Sequence, residues 1–143
     1  MYYTMIIKSE QDMLDFGASF AKTLSKSSDS ATVLELIGDV GSGKTTFTRG
    51  LAAGLNIDTP ITSPSFTISK SYALPDSPGR LIHYDFYRLP DPGLMTEDLY
   101  ENLQNPHNII VLEWSNSVAD ILPDDHVTIT ISYTPDNFRE VTI

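Results

Sequence analysis

Gly38-Asp39-Val40-Gly41-Ser42-Gly43-Lys44-Thr45 satisfies the pattern G-x-x-x-x-G-K-[ST] at every constrained position. These are the residue types that gripping a polyphosphate demands. Phosphate oxygens must come close to the main chain, and a β-carbon at Gly41 or Gly43 would obstruct the turn that lets them. The N–H groups from about Gly41, through Ser42, Gly43, Lys44 and Thr45, to Thr46 can then face the phosphates. A helix opening at this point adds partial positive charge, Lys44 brings a full charge to the β- and γ-phosphates, and the Thr45 hydroxyl can ligate Mg2+. The chemistry implied is binding of a nucleoside triphosphate together with its metal.

A phosphate loop of this kind needs a carboxylate across from it, typically closing an apolar strand, to hold or polarise the hydration shell of Mg2+. Glu113, after Asn108-Ile109-Ile110-Val111-Leu112, has that placement, although acids also end strands simply to face water. Asp85 is the second candidate; its HYDFYR stretch reads equally as a half-buried strand of alternating polarity. His83 has no closely spaced ligand partners and reads as a hydrogen-bonded structural residue before a metal ligand. Trp114, beside Glu113, is divided between core packing and a site role. Arg49, one turn beyond the loop, reads as a packing or pairing residue before a phosphate contact.

The elements that must position these groups follow from periodicity. TVLELIG is a short apolar run suited to a buried parallel strand, and from Lys44 to Leu55 the spacing of Phe47, Leu51 and Leu55 predicts a helix ending near Gly54. Strand, glycine loop and helix thus come in the order the motif requires. Before them, Tyr2 to Lys8 reads as a strand, and Ser9 with Asp12 resembles a capping box opening a helix to about Lys26 whose Met13, Phe16, Phe20 and Leu24 share a face. After them, FTISKSYA and RLIHYDF flank a Pro/Gly cluster and predict an antiparallel hairpin. Thr96 to Leu103 reads as helical, NIIVLEW as a strand, SNSVADI as a short helix, and HVTITISY with FREVTI as a closing strand pair. The expectation is an α/β fold: a mixed, mostly parallel sheet flanked by helices, with an antiparallel hairpin, in one domain over residues 1–143.

Composition sets the outer limits. With 143 residues the chain suits one core, and zero cysteines exclude disulfides, thiolate metal sites and a cysteine nucleophile. No stretch approaches the roughly 18 apolar residues that span a bilayer, and the N-terminal residues lack the basic region of an export signal, so a cytoplasmic protein without membrane partners is expected. Nineteen acids against nine Lys and Arg give a net charge of −10, and the cations, Arg80, Arg88 and Arg139 among them, are scattered. Autonomous nucleic-acid binding is not expected from such a surface.

Taken in order, IGDVGSGKTTFTRGLAAGL, ITSPSFTISKSY, IHYDFYRL and VLEW resemble the TsaE (YjeE) family. The resemblance runs from Ile37 to Trp114, and both flanks are compatible with it. It implies a P-loop NTPase fold and an ATPase of bacterial tRNA N6-threonylcarbamoyladenosine (t6A) synthesis, slow on its own and acting with a TsaB–TsaD complex. In that family TsaD transfers the threonylcarbamoyl group, made by TsaC, to adenosine 37 of tRNA. ATP hydrolysis here would reset that assembly, and tRNA would be met through the complex. By the same resemblance Lys44 binds phosphate, and Thr45, Asp85 and Glu113 serve Mg2+. Ser65 of Ser63-Pro64-Ser65-Phe66 falls in a switch-like segment near the γ-phosphate, and Trp114 gains a nucleotide-site role. SPSF stands where SPTF is commoner, keeping the hydroxyl, and Met13 stands where the family often has Thr, so no adenine contact is carried over to it. Two other readings compete: a non-catalytic nucleotide switch, and a small-molecule kinase, against which the chain offers few arginines and no lid insertion.

Overall fold

Helix α1 (Glu10–Thr23) starts at Ser9, whose hydroxyl accepts from the Asp12 N–H at 3.0 Å. The Asp12 carboxylate accepts in turn from the Lys8 N–H at 3.2 Å, so the shorter acid reaches one residue further back than the Glu of a capping box does. The structure is a computed structural model that describes residues 3–24, 29–64, 69–87 and 93–143. Within them the other elements are β1 (Thr4–Ile7), β2 (Thr32–Ile37), α2 (Lys44–Gly54), β3 (Ser69–Ala73), β4 (Arg80–Asp85), α3 (Leu94–Leu103), β5 (Ile109–Glu113), a 3-10 helix (Ser115–Ile121), β6 (Val127–Tyr133) and β7 (Arg139–Thr142). Each corresponds to an element expected from periodicity; most ends are trimmed by a few residues, whereas α3 starts two residues before the expected Thr96.

Among the described residues the strands form one sheet of seven, ordered β1-β7-β6-β2-β5-β4-β3. Strands β4, β5, β2 and β6 are mutually parallel, and β1 runs the same way through two antiparallel steps, so only β3 and β7 oppose the other five. The mixed, mostly parallel α/β fold expected above is therefore observed, with β3–β4 as its antiparallel hairpin. Central β2 and β5 carry near-continuous apolar runs because both of their faces are covered.

The core divides accordingly. On one side Leu34, Leu36, Leu81, Val111 and Ile129 pack with Met13, Phe47 and Leu51 of the first two helices. On the other, Val33, Ile82, Tyr84, Ile110 and Leu112 pack with Leu99 and Leu103 of α3 and with Val118. Full burial of Phe47 and Leu51 contributes about 1.5–3 kcal/mol each and seats α2 on the sheet. Helices α1 and α2 meet backbone to backbone: a β-carbon at Gly50 would lie 2.3 Å from the Leu14 carbonyl oxygen, and one at Gly17 would lie 2.4 Å from that of Phe47. The helix carrying Lys44 and Thr45 is thereby fixed against both α1 and the sheet.

Candidate nucleotide site

The turn after β2 is built around absent side chains. A β-carbon on Gly38 would stand 2.5 Å from Ser42 Oγ and 2.7 Å from the Ile131 carbonyl, so only glycine lets the loop close there. Gly41 and Gly43 have φ of +82° and +113°, conformations that L side chains adopt only with strain. Gly43 caps α2 without a side-chain bond, so the first N–H groups of that helix have no partner within it.

The closing hairpin holds this loop from outside. Tyr133 donates its hydroxyl to the Gly41 carbonyl at 2.8 Å, Arg139 donates Nε–H to the Ser42 carbonyl at 3.1 Å, and the guanidinium lies 4.1 Å from the centre of the Tyr133 ring. In a trans peptide C=O and N–H point in opposite directions, so turning the Ser42 carbonyl to Arg139 turns the Gly43 N–H the other way. The Ser42 N–H is used inside the loop, on the Asp39 carbonyl at 3.0 Å.

The two acids arrive from neighbouring strands. Asp85 and Glu113 are register partners at the C-terminal ends of β4 and β5, and alternation puts His83, Asp85 and Glu113 on the same sheet face as Leu81 and Val111, the face that α2 covers. Ligand sites of open α/β sheets form at this end of the strands. Asp85 Oδ1 accepts from the Tyr87 N–H at 2.9 Å. One Glu113 oxygen, Oε2, shares a hydrogen bond with Nε2 of the fully buried His83, while Oε1 lies 4.0 Å from Lys44 Nζ. His83 is thus a hydrogen-bonded residue as expected, although its partner is a candidate site acid; its Nδ1 has no partner among the described residues.

Lys44 arches back over its own loop, donating to the Gly38 carbonyl and to the Asp39 carbonyl at 3.2 Å. Its ammonium also lies 4.7 Å from the centre of the Trp114 ring, and the Tyr87 ring flanks that indole at 4.8 Å. Trp114 adopts φ 55°, ψ 48°, the left-handed region, at a cost of about 1–3 kcal/mol for a bulky residue. The ring is held where chain geometry alone would not leave it.

Gly41, Gly43, Lys44, Thr45, Thr46, Asp85, Glu113 and Trp114 all line one cleft of about 400 Å³, which Ser63 and Tyr87 help to close. Ser42 is not among them. It lines an adjoining cleft of about 390 Å³, with Met13 and Arg139. Ser65 and Arg88 lie outside the described residues. Arg49 donates to the Ile61 carbonyl at 3.4 Å, in keeping with a packing role. Positive-φ glycines, a helix N-terminus, a lysine, a hydroxyl and two carboxylates facing one cleft are a donor set that fits a polyphosphate with a hard cation.

Sequence reasoning passed over Tyr133 and the pairing of His83 with Glu113, and met Arg139 only as one scattered cation. No local signal marks them, because each acts on a residue 30 to 97 positions away.

The family profile described as "Threonylcarbamoyl adenosine biosynthesis protein TsaE" matches residues 7–141. A Haemophilus influenzae protein named tRNA threonylcarbamoyladenosine biosynthesis protein TsaE is 36% identical over 135 residues, covering 93% of this chain and 84% of the relative. A Bacillus subtilis protein of the same name is 40% identical over 111 residues, 77% of this chain and 67% of its own length. Among solved structures, that of YdiB from Bacillus subtilis superposes with a TM-score of 0.73 at 30% identity, covering 99% of this chain and 84% of that one.

Proposed function

The chain belongs to the TsaE family of tRNA threonylcarbamoyladenosine biosynthesis, and on that premise we propose that it binds Mg-ATP at the glycine loop and hydrolyses it slowly, to reset a TsaB–TsaD complex. The observation that carries this reading is the convergence of Lys44, Thr45, Asp85 and Glu113 on one cleft at the N-terminus of α2.

Lys44 would exchange the neutral Gly38 and Asp39 carbonyls for charged phosphate oxygens, which accept more strongly. The first-turn N–H groups of α2 would face the same phosphates. Thr45, Asp85 and Glu113 would hold Mg2+, directly or through its water shell; when bound, the ion neutralises charge developing on the phosphates. Glu113, tethered by His83, would orient the attacking water. Trp114 and Tyr87 would limit bulk water at the cleft mouth. None of these groups transfers threonylcarbamoyl, so the chain would serve a partner that does, in the cytoplasm; among the described residues no helix is long and apolar enough to cross a membrane. A net charge of −10 favours meeting tRNA through that partner and not directly.

The test is Glu113→Ala in a reconstituted t6A reaction. A variant that still binds Mg-ATP but supports only a single round of modification would bear out a turnover role. Full multiple-round support by a variant shown not to hydrolyse ATP would instead make the chain a non-catalytic switch.

A further inference from the structure

Behind Trp114, on the sheet face opposite α2, lies a polar cluster that the nucleotide chemistry does not use. Glu35 sits in the middle of β2 among apolar neighbours, with its side chain only 14% exposed. Its Oε2 accepts from the Ser115 hydroxyl at 2.5 Å, and its Oε1 accepts from the Thr128 hydroxyl at 3.0 Å. His126 directs Nε2 at the same oxygen from 3.6 Å, while its Nδ1 donates to the Pro123 carbonyl at 2.7 Å. A carboxyl set into an apolar strand costs free energy unless its lone pairs are satisfied, and here two hydroxyls converge to satisfy them, with the His126 ring alongside.

Ser115 is the link with a consequence. It is buried, it opens the 3-10 helix, and it directly follows Trp114, the residue with left-handed backbone angles. An aromatic residue leaves that conformation unless its neighbours hold it there. Before Trp114 the chain is fixed by β5, whose last residue Glu113 accepts at its carbonyl from the Phe86 N–H at 3.0 Å. After it, the Ser115–Glu35 bond pins the chain to the central strand that leads into the glycine loop. The indole is therefore suspended between two anchored residues, and Lys44 lies over its face.

We propose that Glu35 is a positioning residue: through Ser115 it holds the Trp114 ring against the Lys44 ammonium, coupling the sheet behind the site to the grip on the terminal phosphates. The nucleotide part of this statement rests on the Mg-ATP reading above; the placement of the indole does not. Thr128 gives an internal comparison, since its bond ties the same carboxyl to β6, away from Trp114.

Trp114 is the chain's only tryptophan, so its fluorescence reports the anchor directly, without nucleotide. The variants are Glu35→Ala, Ser115→Ala and Thr128→Val, each checked for native circular dichroism. Ser115→Ala keeps the carboxyl and its β6 bond, so it remains informative where Glu35→Ala fails to fold. The expected result is a shifted emission maximum and an increase of about twofold or more in acrylamide quenching for Ser115→Ala, with Thr128→Val close to the parent. A folded Ser115→Ala protein with parental emission and quenching overturns the proposal. So does a Thr128→Val change as large as that of Ser115→Ala, which would make the cluster a general brace of the sheet. Titration with Mg-ATP then adds the phosphate arm: weakening of several-fold in Ser115→Ala is expected, and parental affinity despite a displaced indole removes the coupling to phosphate. Should the parent itself bind no Mg-ATP, that failure belongs to the nucleotide reading, and the fluorescence comparison still decides whether Glu35 positions Trp114.

Discussion

The His83 imidazole holds one oxygen of the Glu113 carboxyl inside the protein, while the other oxygen lies 4.0 Å from the Lys44 ammonium. Thirty residues separate the two in sequence, and the parallel register of β4 on β5 brings them together. The bond fixes which way the acid points, and groups that orient a metal-handling residue typically matter 10–100-fold. His83→Phe keeps bulk but removes the bond, so ATP turnover should fall by about that 10–100-fold factor while Mg-ATP affinity changes less. His83→Gln, whose amide nitrogen can stand near the Nε2 position, should recover part of the loss. Steady-state kinetics on both variants make the comparison, and equal losses would remove the bond from the account.

Lys44 makes its contacts with two loop carbonyls, the face of Trp114 and, at 4.0 Å, the buried Glu113 carboxylate. Lys44→Ala should therefore lower the melting temperature of the free protein, because the buried acid loses its cation. It should weaken Mg-ATP binding by about 2–3 kcal/mol, roughly 30-fold or more, the worth of a charge-assisted bond. Calorimetric titration beside thermal melting separates the two effects. Parental affinity would mean that the phosphates are held elsewhere.

Gly50 sets two effects against each other. Replacing a helical glycine by alanine ordinarily stabilises by about 1 kcal/mol, whereas forcing a methyl group into packed backbone costs about 1–3 kcal/mol. With the Leu14 carbonyl 2.3 Å from the added carbon, the second should win. Gly50→Ala is expected to lower the melting temperature by several degrees; a rise would show that α1 and α2 are not in backbone contact.

Tyr84 predicts an alkaline limit on stability. Burial, and then its hydrogen bond to Asp98, push its hydroxyl well above the ordinary tyrosine range. The unfolded chain releases that proton near pH ~10 and the folded chain keeps it. The resulting stability is complete below pH ~10 and is lost as pH climbs from there toward the folded value. Tyr84→Phe should cost about 1 kcal/mol near neutrality, through the lost bond to Asp98, and should flatten the decline above pH ~10. Urea unfolding at pH 8 and pH 11 gives both numbers, and an unchanged alkaline slope would contradict the assignment.

What could be read from the chain and what could not divide along physical lines. Gly38 to Thr45 was legible because backbone geometry and phosphate chemistry restrict a short, contiguous stretch. Glu113 and Asp85 were legible as strand-end acids, but their adjacency required the β4–β5 register, which pairs residues 28 apart in sequence. The support around the loop was not legible. Tyr133 and Arg139 contribute a ring and a cation that any closing strand could carry. Gly17 and Gly50 have meaning only once α1 lies on α2. The closing strand was foreseen, but not that β7 would also pair with β1 and bring Tyr3 to Ile143. Glu35 is a lone acid in an apolar strand, and nothing near it in sequence names Ser115 or Thr128 as its partners.

The most direct measurement is Mg-dependent ATP hydrolysis by the purified chain, alone and with a TsaB–TsaD pair, with Lys44→Ala as the blank. The account predicts slow turnover alone, a changed rate when the pair is added, and loss of both in the blank. Absence of ATP binding in the parent, or turnover that survives Lys44→Ala, would contradict it.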